Sequence, residues 1–278
     1  MNRRKSLLNG IMPNELYRTI EKISDENIEK LEELRLRTCR GTYLKGLNAI
    51  CRYIPSVEDI KNIIYSISDY SIYAHLDEIT RGFITMADGH RVGISGKVIF
   101  DNGKISNIVD ISSICIRFAR EIKGVASPIE DELSDGNILI ISPPGCGKTT
   151  LLRDISRIIG KCNNVALIDE RGELASCVNG VPQLDVGANT DVITLCSKAV
   201  AIPMTIRSMC PDVIITDEIS YDDTLVINKA STMGVRVIAS IHGSCIDDVR
   251  SRIDARSFNK FIVLDKDKNI SEVVSNDL

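Results

Sequence analysis

Residues 137–159 have the types and spacing of a phosphate-binding loop. An apolar run leads into the segment Ser-Pro-Pro-Gly-Cys-Gly-Lys-Thr-Thr at 142–150, and an amphipathic helical pattern follows over 151–159. Phosphate groups bind to free backbone N–H groups at a helix N-terminus, where the helix dipole favours anions. Glycines let the backbone approach the phosphates closely. We therefore expect the binding residues to be Pro144, Gly145, Cys146, Gly147, Lys148, Thr149 and Thr150.

Two side chains of this loop have separate predicted roles. Lys148 would reach the β- and γ-phosphates of a triphosphate, and the Thr149 hydroxyl would bind Mg²⁺. Ser142 occupies the first glycine position of the G-x-x-x-x-G-K-[ST] pattern, so the turn at the strand exit is expected to differ slightly. The alternative is a Gly/Pro connection with an accidental lysine. A strand before the loop and a helix after it favour nucleotide binding.

A second acidic motif follows another apolar run. Residues 213–216 are Val-Ile-Ile-Thr, and Asp217 and Glu218 come next. This is the pattern of a Walker B strand, in which Asp217 would hold Mg²⁺ through water and Glu218 would orient or activate the attacking water. The alternative is that both carboxylates cap a helix.

Polar residues also follow two further strand-like runs. Glu170 and Glu173 come after the run 165–168, and His242 follows the run 235–241. In five-stranded ATPases with a catalytic glutamate, the strand equivalent to 235–241 lies between the other two motif strands. We therefore expect His242 to sense the γ-phosphate and Glu170 or Glu173 to lie near the metal. The alternatives are a solvated acidic loop and a structural histidine.

The second half of the chain has the pattern of a parallel sheet. It contains five short apolar runs, of which the last is 261–264, with helical segments between them. Such runs are typical of strands covered on both faces, and ligands bind at the carboxyl ends of the strands.

The first half of the chain is predicted to be α+β. Helical periodicity extends from Leu16 to Leu34, and Ser56 is a candidate N-cap for a second helix. Strands are predicted over 82–87, 91–100, 104–111 and 114–120, with a hairpin turn at 101–103. Residues 121–136 are rich in Pro, Gly and acids, which favours an interdomain connection.

Composition limits the function classes. The net charge of −4 gives no overall basic footprint for nucleic acid. Nine cysteines occur singly, without a C-x-x-C pair, which is typical of reduced thiols in a cytosol rather than of zinc sites or disulfides. No apolar stretch approaches the length of a membrane span. We expect a cytoplasmic protein without direct membrane insertion, peripheral at a membrane only through partner proteins.

Several motifs together resemble the stage III sporulation protein AA family. They are the phosphate loop, the acidic segment 169–173, the segment 185–189, the Walker B region 207–219 and the histidine segment 240–243. That family belongs to the secretion-ATPase branch of the RecA-like motors. The resemblance covers essentially all of the second half. Ser220 and Tyr221 depart from it, because the family tends to carry Gly-Arg there, which puts in doubt any contact between subunits from that position.

The resemblance implies an α/β fold, with a smaller α+β domain at 1–122 preceding a RecA-like parallel-sheet ATPase domain at 123–278. It implies ATP and Mg²⁺ as cofactors and a homohexamer. It also implies integral membrane components of a sporulation transport channel as partners. In related secretion ATPases, arginines of the N-terminal domain close over the triphosphate, and by that analogy Arg81 and Arg91 are candidates. Solvated strand arginines are the alternative.

Two other functions are compatible with a phosphate loop. One is a nucleic-acid motor, because RecA-like cores also drive helicases. The net acidity, the absence of Trp and the aromatic content of 4% disfavour it. The other is a scaffold that binds ATP without turnover, which the presence of both Asp217 and Glu218 disfavours.

Overall fold

The chain forms two compact units. The computed structural model describes residues 2–276, and the division lies between Arg120 and Glu121. Each unit has its own hydrophobic core, one in the first unit and two on opposite faces of a sheet in the second.

The first unit combines an antiparallel sheet with short helices. The strands are β1 (Glu33–Arg37), β2 (Arg40–Lys45), β3 (Ala49–Cys51), β4 (Phe83–Thr85), β5 (Arg91–Asp101) and β6 (Lys104–Arg117), in the order β3-β2-β1-β6-β5-β4. The helices are α1 (Arg3–Asn9), α2 (Asn14–Glu21), α3 (Asp25–Lys30), α4 (Val57–Ile67) and α5 (Leu76–Thr80). Short 3-10 helices lie at Ile72–His75 and Ala87–Gly89.

The predicted start of α4 and the predicted hairpin turn are confirmed. Ser56 accepts a hydrogen bond from the N–H of Asp59, whose side chain accepts one from the N–H of Ser56, so both members of a capping box are present. Asn102 and Gly103 both have positive φ, as a two-residue turn between β5 and β6 requires.

The predicted helical run up to Leu34 was wrong at its end. Helix α3 stops at Lys30, and Leu34 lies in β1. Within β1, Leu34 and Leu36 are both fully buried, and Arg35 lies between them. The two-residue spacing of Leu34 and Leu36 is that of a strand, and it determines the structure here although Leu31 and Leu34 also have helical spacing. Strands β1 to β3 were not predicted, and the predicted strands 104–111 and 114–120 form one strand that ends at Arg117.

The second unit is a seven-stranded sheet with helices on both faces. Its strands are β7 (Ile138–Ser142), β8 (Val165–Asp169), β9 (Thr190–Thr194), β10 (Val213–Glu218), β11 (Arg236–His242), β12 (Lys260–Leu264) and β13 (Ile270–Ser275), in the order β13-β12-β7-β11-β10-β8-β9. All neighbours pair in parallel except β12 and β13. The helices are α6 (Lys148–Ile159), α7 (Lys198–Met209), α8 (Asp223–Thr232) and α9 (Ile246–Arg250), with 3-10 helices at Ser127–Leu133 and Ala255–Ser257.

The alternation of side chains along the strands explains the two cores. In β7, Ile138 and Ile140 pack in the core that α6 covers, whereas Leu139 and Ile141 pack in the core that α7 and α8 cover. The five predicted strands are confirmed, as is the position of β11 between β7 and β10. Strands β9 and β13 were missed because they lie at the sheet edges and are partly exposed, so neither has a continuous apolar run.

The predicted connection at 121–136 belongs entirely to the second unit. Ala126, Ile129 and Leu133 are buried in the same core as α6. The carboxylate of Asp154, on α6, accepts a hydrogen bond from the N–H of Ala126 at 2.8 Å. The stretch from Ala126 is therefore packed rather than a free connector. Among residues 2–276, no helix has the length and apolar character needed to cross a bilayer.

A buried histidine makes the stability of the first unit depend on pH. His90 is 5% exposed, its Nδ1 accepts a hydrogen bond from the N–H of Ala119 at 3.0 Å, and its ring packs edge-on against Phe118. Burial lowers the pKa of His90 to about 4. The unfolded chain, with a pKa of about 6.5, binds the proton first as the pH falls, so stability is lost from about pH 6.5 downward to about pH 4.

We predict that His90→Asn removes this pH dependence. Asn keeps an acceptor for the Ala119 N–H but does not titrate. Between pH 7.5 and 5 the unmodified protein should lose about 2 kcal/mol more unfolding free energy than the variant, as follows from the two pKa values. Urea unfolding at both pH values measures this difference. Equal losses in the two proteins would show that His90 is not the titrating group.

Candidate nucleotide-binding site

The loop between β7 and α6 leaves an open cradle at a helix N-terminus. Gly145 and Gly147 have φ of +77° and +89°, which residues with a Cβ rarely adopt. A Cβ added at Gly145 would meet no atom within 4 Å, so the space above the loop is open. Helix α6 begins at Lys148, and no side chain caps it. Its first N–H groups are available to an anion.

Ser142 fits the strand without the conformational freedom of glycine. It is the last residue of β7, it is fully buried and its φ is not positive. Its carbonyl oxygen accepts hydrogen bonds from the N–H of Gly243 at 3.2 Å and from Lys148 Nζ at 3.4 Å. Position 142 therefore does not need a backbone conformation that only glycine adopts.

A chain of polar contacts links the loop lysine to the Walker B glutamate. Lys148 Nζ donates to His242 Nδ1 at 2.5 Å, and His242 Nε2 lies 3.5 Å from Glu218 Oε2. His242 Nδ1 also lies 3.4 Å from the Ser142 carbonyl oxygen, so the ring contacts both the phosphate-loop strand and the Walker B glutamate. Arg171 Nη2 is 2.9 Å from the same Glu218 oxygen. Burial lowers the pKa of Lys148, so its ammonium group loses a proton more readily than that of an exposed lysine.

The other Walker B acid is paired with a buried lysine. Lys198, 4% exposed at the start of α7, has its Nζ 2.9 Å from Asp217 Oδ1 and 2.5 Å from Glu170 Oε2. Burial alone would lower the pKa of Lys198, but the hydrogen bonds and charges of the two acids raise it, so Lys198 stays charged. Lys198 thus offsets two of the carboxylates at the ends of β8 and β10.

The acidic segment after β8 is fixed to the phosphate-loop helix. Asp169 is fully buried and accepts hydrogen bonds from the N–H groups of Glu173 and Ala175 at 2.8 and 2.9 Å. Arg153, a buried residue of α6, donates to the carbonyl oxygens of Glu173 and Leu174. Asp169 therefore holds the loop, and Glu173 is held beside α6.

These elements enclose one cavity of about 380 Å³. Its lining brings together most of the predicted site residues: Pro144, Gly145, Gly147, Lys148, Thr149, Thr150, Glu173, Asp217, Glu218 and His242, together with Arg171, Leu174 and Ser240. Cys146 is buried below the loop, and Glu170 is turned to Lys198. The volume lies within the range of about 300–1,000 Å³ that is usual for ligand pockets.

The residues present fit a magnesium ion that arrives with phosphates. Both Asp217 carboxylate oxygens are buried. Lys198 Nζ lies 2.9 Å from Oδ1, and Oδ2 has no hydrogen-bond partner among the described residues. No group of three or more His, Cys, Asp or Glu side chains within residues 2–276 could hold a metal ion. Thr149 and Asp217 would therefore need phosphate oxygens and water to complete an Mg²⁺ shell, which is the usual arrangement for this ion.

The two predicted arginines lie in the first unit. Arg91 stacks its guanidinium over the Phe83 ring at 3.8 Å from the ring centroid. Arg81 follows α5 and is exposed, and its N–H donates to the carbonyl oxygen of Glu78. Their role at the phosphates stays a prediction.

Three residues that contribute to the cavity or its support were missed in the sequence. Arg171 is visible in the acidic segment but has no pattern that assigns it a role. Lys198 and Arg153 act through partners distant in sequence, and neither belongs to a motif. Ser197 and Lys198 have the sequence of an ordinary helix N-terminus, so nothing in the sequence indicates that Lys198 is buried beside acids.

We predict that Lys198→Met destabilises the second unit by about 3 kcal/mol, because it leaves Asp217 buried and uncompensated. Adding Asp217→Asn should recover part of that loss, since the uncompensated charge is then removed. Urea unfolding of the single and double variants tests both statements. A neutral Lys198→Met variant, or a double variant no more stable than the single one, would contradict the charge-pair account.

Solved structures of an ATPase and of a pilus motor have the same fold. The ATPase DotB of Legionella pneumophila aligns with a TM-score of 0.59 and 14% identity, covering 91% of this chain and 76% of that one. The pilus retraction motor PilT with bound ADP aligns with a TM-score of 0.62 and 14% identity, covering 86% and 76%. The predicted fold class, a RecA-like α/β domain preceded by an α+β domain, is confirmed.

The sequence comparisons identify the family. The family model described as "Sporulation stage III, protein AA" matches residues 1–276. The stage III sporulation protein AA of Bacillus subtilis is 36% identical over an alignment that covers 96% of this chain and 94% of that protein. The chain therefore belongs to the sporulation stage III protein AA family.

Proposed function

We propose that this protein is a Mg²⁺-dependent ATPase. The main support for the proposal is a single cavity. In it the phosphate loop faces Asp217 and Glu218 of β10 and His242 of the adjacent strand β11. A loop that only bound phosphate would not need two carboxylates opposite it, because carboxylates repel phosphate. A metal ion and an attacking water need them.

Some residues of the site would bind the nucleotide and its metal ion, and Glu218 would accept a proton during hydrolysis. The loop N–H groups and Lys148 bind the phosphates, and Thr149 and Asp217 hold the metal. When bound, Mg²⁺ neutralises phosphate charge. Glu218 orients a water molecule and accepts its proton as the water oxygen bonds to the terminal phosphorus and the bond to ADP breaks.

His242 is suited to sense the terminal phosphate. Its Nδ1 accepts from Lys148 and its Nε2 faces Glu218. If Lys148 turns to a bound phosphate, Nδ1 loses that partner, and the ring becomes free to rotate. Glu173 lies in the same cavity, and Glu170 acts on Asp217 through their shared partner Lys198. The acidic segment is thereby coupled to the metal position.

The broader role follows from the family and from its structural relatives. We propose that ATP hydrolysis drives a sporulation transport channel, with the protein as a cytoplasmic homohexamer attached to integral membrane components and without its own membrane insertion. The domains are proposed as 1–122 and 123–278, with Arg81 and Arg91 of the first closing over the triphosphate. Nucleic acid is not a proposed partner, since the chain is acidic overall.

We predict Mg²⁺-dependent ATP hydrolysis that Glu218→Gln lowers at least about 10²-fold and Lys148→Ala abolishes. The measurement is phosphate release by the purified chain, with and without single-stranded DNA. Glu272→Gln, at an exposed acid of β13, is the matched control and should leave the rate unchanged.

The outcomes separate the three functions. Turnover that does not respond to DNA and is lost in Glu218→Gln supports the proposal. Strong stimulation by DNA would identify a nucleic-acid motor instead. Tight ATP binding with equal, negligible turnover in the unmodified protein and in Glu218→Gln would identify an ATP-binding scaffold.

A further inference from the structure

Arg171 is a cation at the cavity beside the phosphate loop, and the sequence predicts no role for it although it lies in the acidic segment 169–173. It lines the cavity beside Lys148 and Thr149, and its guanidinium contacts the Glu218 carboxylate at 2.9 Å. Its side chain is 60% exposed, whereas that of Glu218 is 27% exposed. An exposed pair of this kind contributes little to folding, so stability does not explain the placement of Arg171.

The loop that carries Arg171 is rigidly held. Asp169 accepts hydrogen bonds from two N–H groups on the far side of the loop, and its carbonyl accepts from the N–H of Gly172. Gly172 has a φ of +67°, which lets the chain turn immediately after Arg171. Arg153 fixes the following carbonyl groups to α6. The backbone of Arg171 is therefore kept at a set place beside the phosphate loop, and its exposed side chain reaches Glu218 from there.

The lining of the cavity carries more negative than positive side chains, and Arg171 reduces this excess. The lining contains three carboxylates, those of Glu173, Asp217 and Glu218, and besides Arg171 its only permanent cation among the described residues is Lys148. A triphosphate adds several negative charges. Mg²⁺ and Lys148 would offset part of this charge, but the Glu218 carboxylate lines the same cavity and would repel the phosphates. A second cation beside that carboxylate removes this repulsion.

We propose that Arg171 is a catalytic residue that leaves Glu218 when nucleotide binds and contacts the terminal phosphate of ATP, in the same chain as the phosphate loop. This inference rests on the proposed ATPase function. Releasing Glu218 frees its carboxylate to take the proton of the attacking water. Arg171 forms no covalent bond. Its planar fork of donors stabilises the charge on the phosphoryl oxygens in the transition state.

The test compares a ground-state ligand with a transition-state analogue. Binding of ADP and of ADP with tetrafluoroaluminate, both with Mg²⁺, is measured on the full chain by displacement of a fluorescent ADP. For Arg171→Gln we expect ADP affinity within about threefold of the unmodified protein and at least about 30-fold weaker binding of the analogue. In turnover, kcat should fall by a similar or larger factor while KM changes little. Arg171→Lys should recover part of the loss, since it keeps the charge but not the fork.

Control variants separate direct from indirect action. Arg256→Gln removes an arginine of another exposed ion pair in the same unit and should change neither affinity. In the Glu218→Gln background, the loss of analogue binding on adding Arg171→Gln should persist. If it disappears there, Arg171 acts only by positioning Glu218, and the inference is overturned.

The remaining outcomes are also decisive. Equal effects of Arg171→Gln on ADP and on the analogue, or no effect on either, would overturn the inference while leaving the ATPase proposal in place. Failure of the unmodified protein to bind ADP or ATP would overturn both proposals.

Discussion

The parallel pairing of β7, β11 and β10 is the constraint on which the rest of the site depends. Its register places His242 opposite Ser142 and Ser240 opposite Glu218. Because parallel strands end at the same edge of a sheet, the phosphate loop and the Walker B acids have to meet there. Both faces of these strands are buried, so a shift in register would disrupt two cores at once. The geometry of the site is thus secured by apolar packing distant from the charges.

That arrangement collects acidic side chains at one edge, and cations from other elements compensate them. Lys198 of α7 pairs with Glu170 and Asp217, and Arg171 pairs with Glu218. The two cations differ in burial. Lys198 is inaccessible and keeps the edge stable, whereas Arg171 is exposed and can exchange its partner. We infer that Lys198 contributes to stability and that Arg171 contributes to catalysis.

Contiguous features of the site and fold could be predicted from the sequence. The phosphate loop is defined by adjacent residues, and the five central strands are continuous apolar runs because they are buried on both faces. Strands that alternate or lie at an edge, such as β1 and β9, carry a weaker pattern and were missed. The ion pairs could not be predicted, because partners such as Glu170 and Lys198 lie 28 residues apart and meet only through the sheet topology.

We propose that the phosphate loop and Asp217 act on a single magnesium-bound nucleotide. Calorimetric titration with adenylyl imidodiphosphate, with and without Mg²⁺, tests it most directly when the unmodified protein is compared with Asp217→Asn. We expect Mg²⁺ to strengthen binding at least about tenfold, or about 1.4 kcal/mol, in the unmodified protein and to have much less effect in the variant. An equal Mg²⁺ effect in both proteins would mean that Asp217 does not share the ligand of the loop, and it would contradict the account.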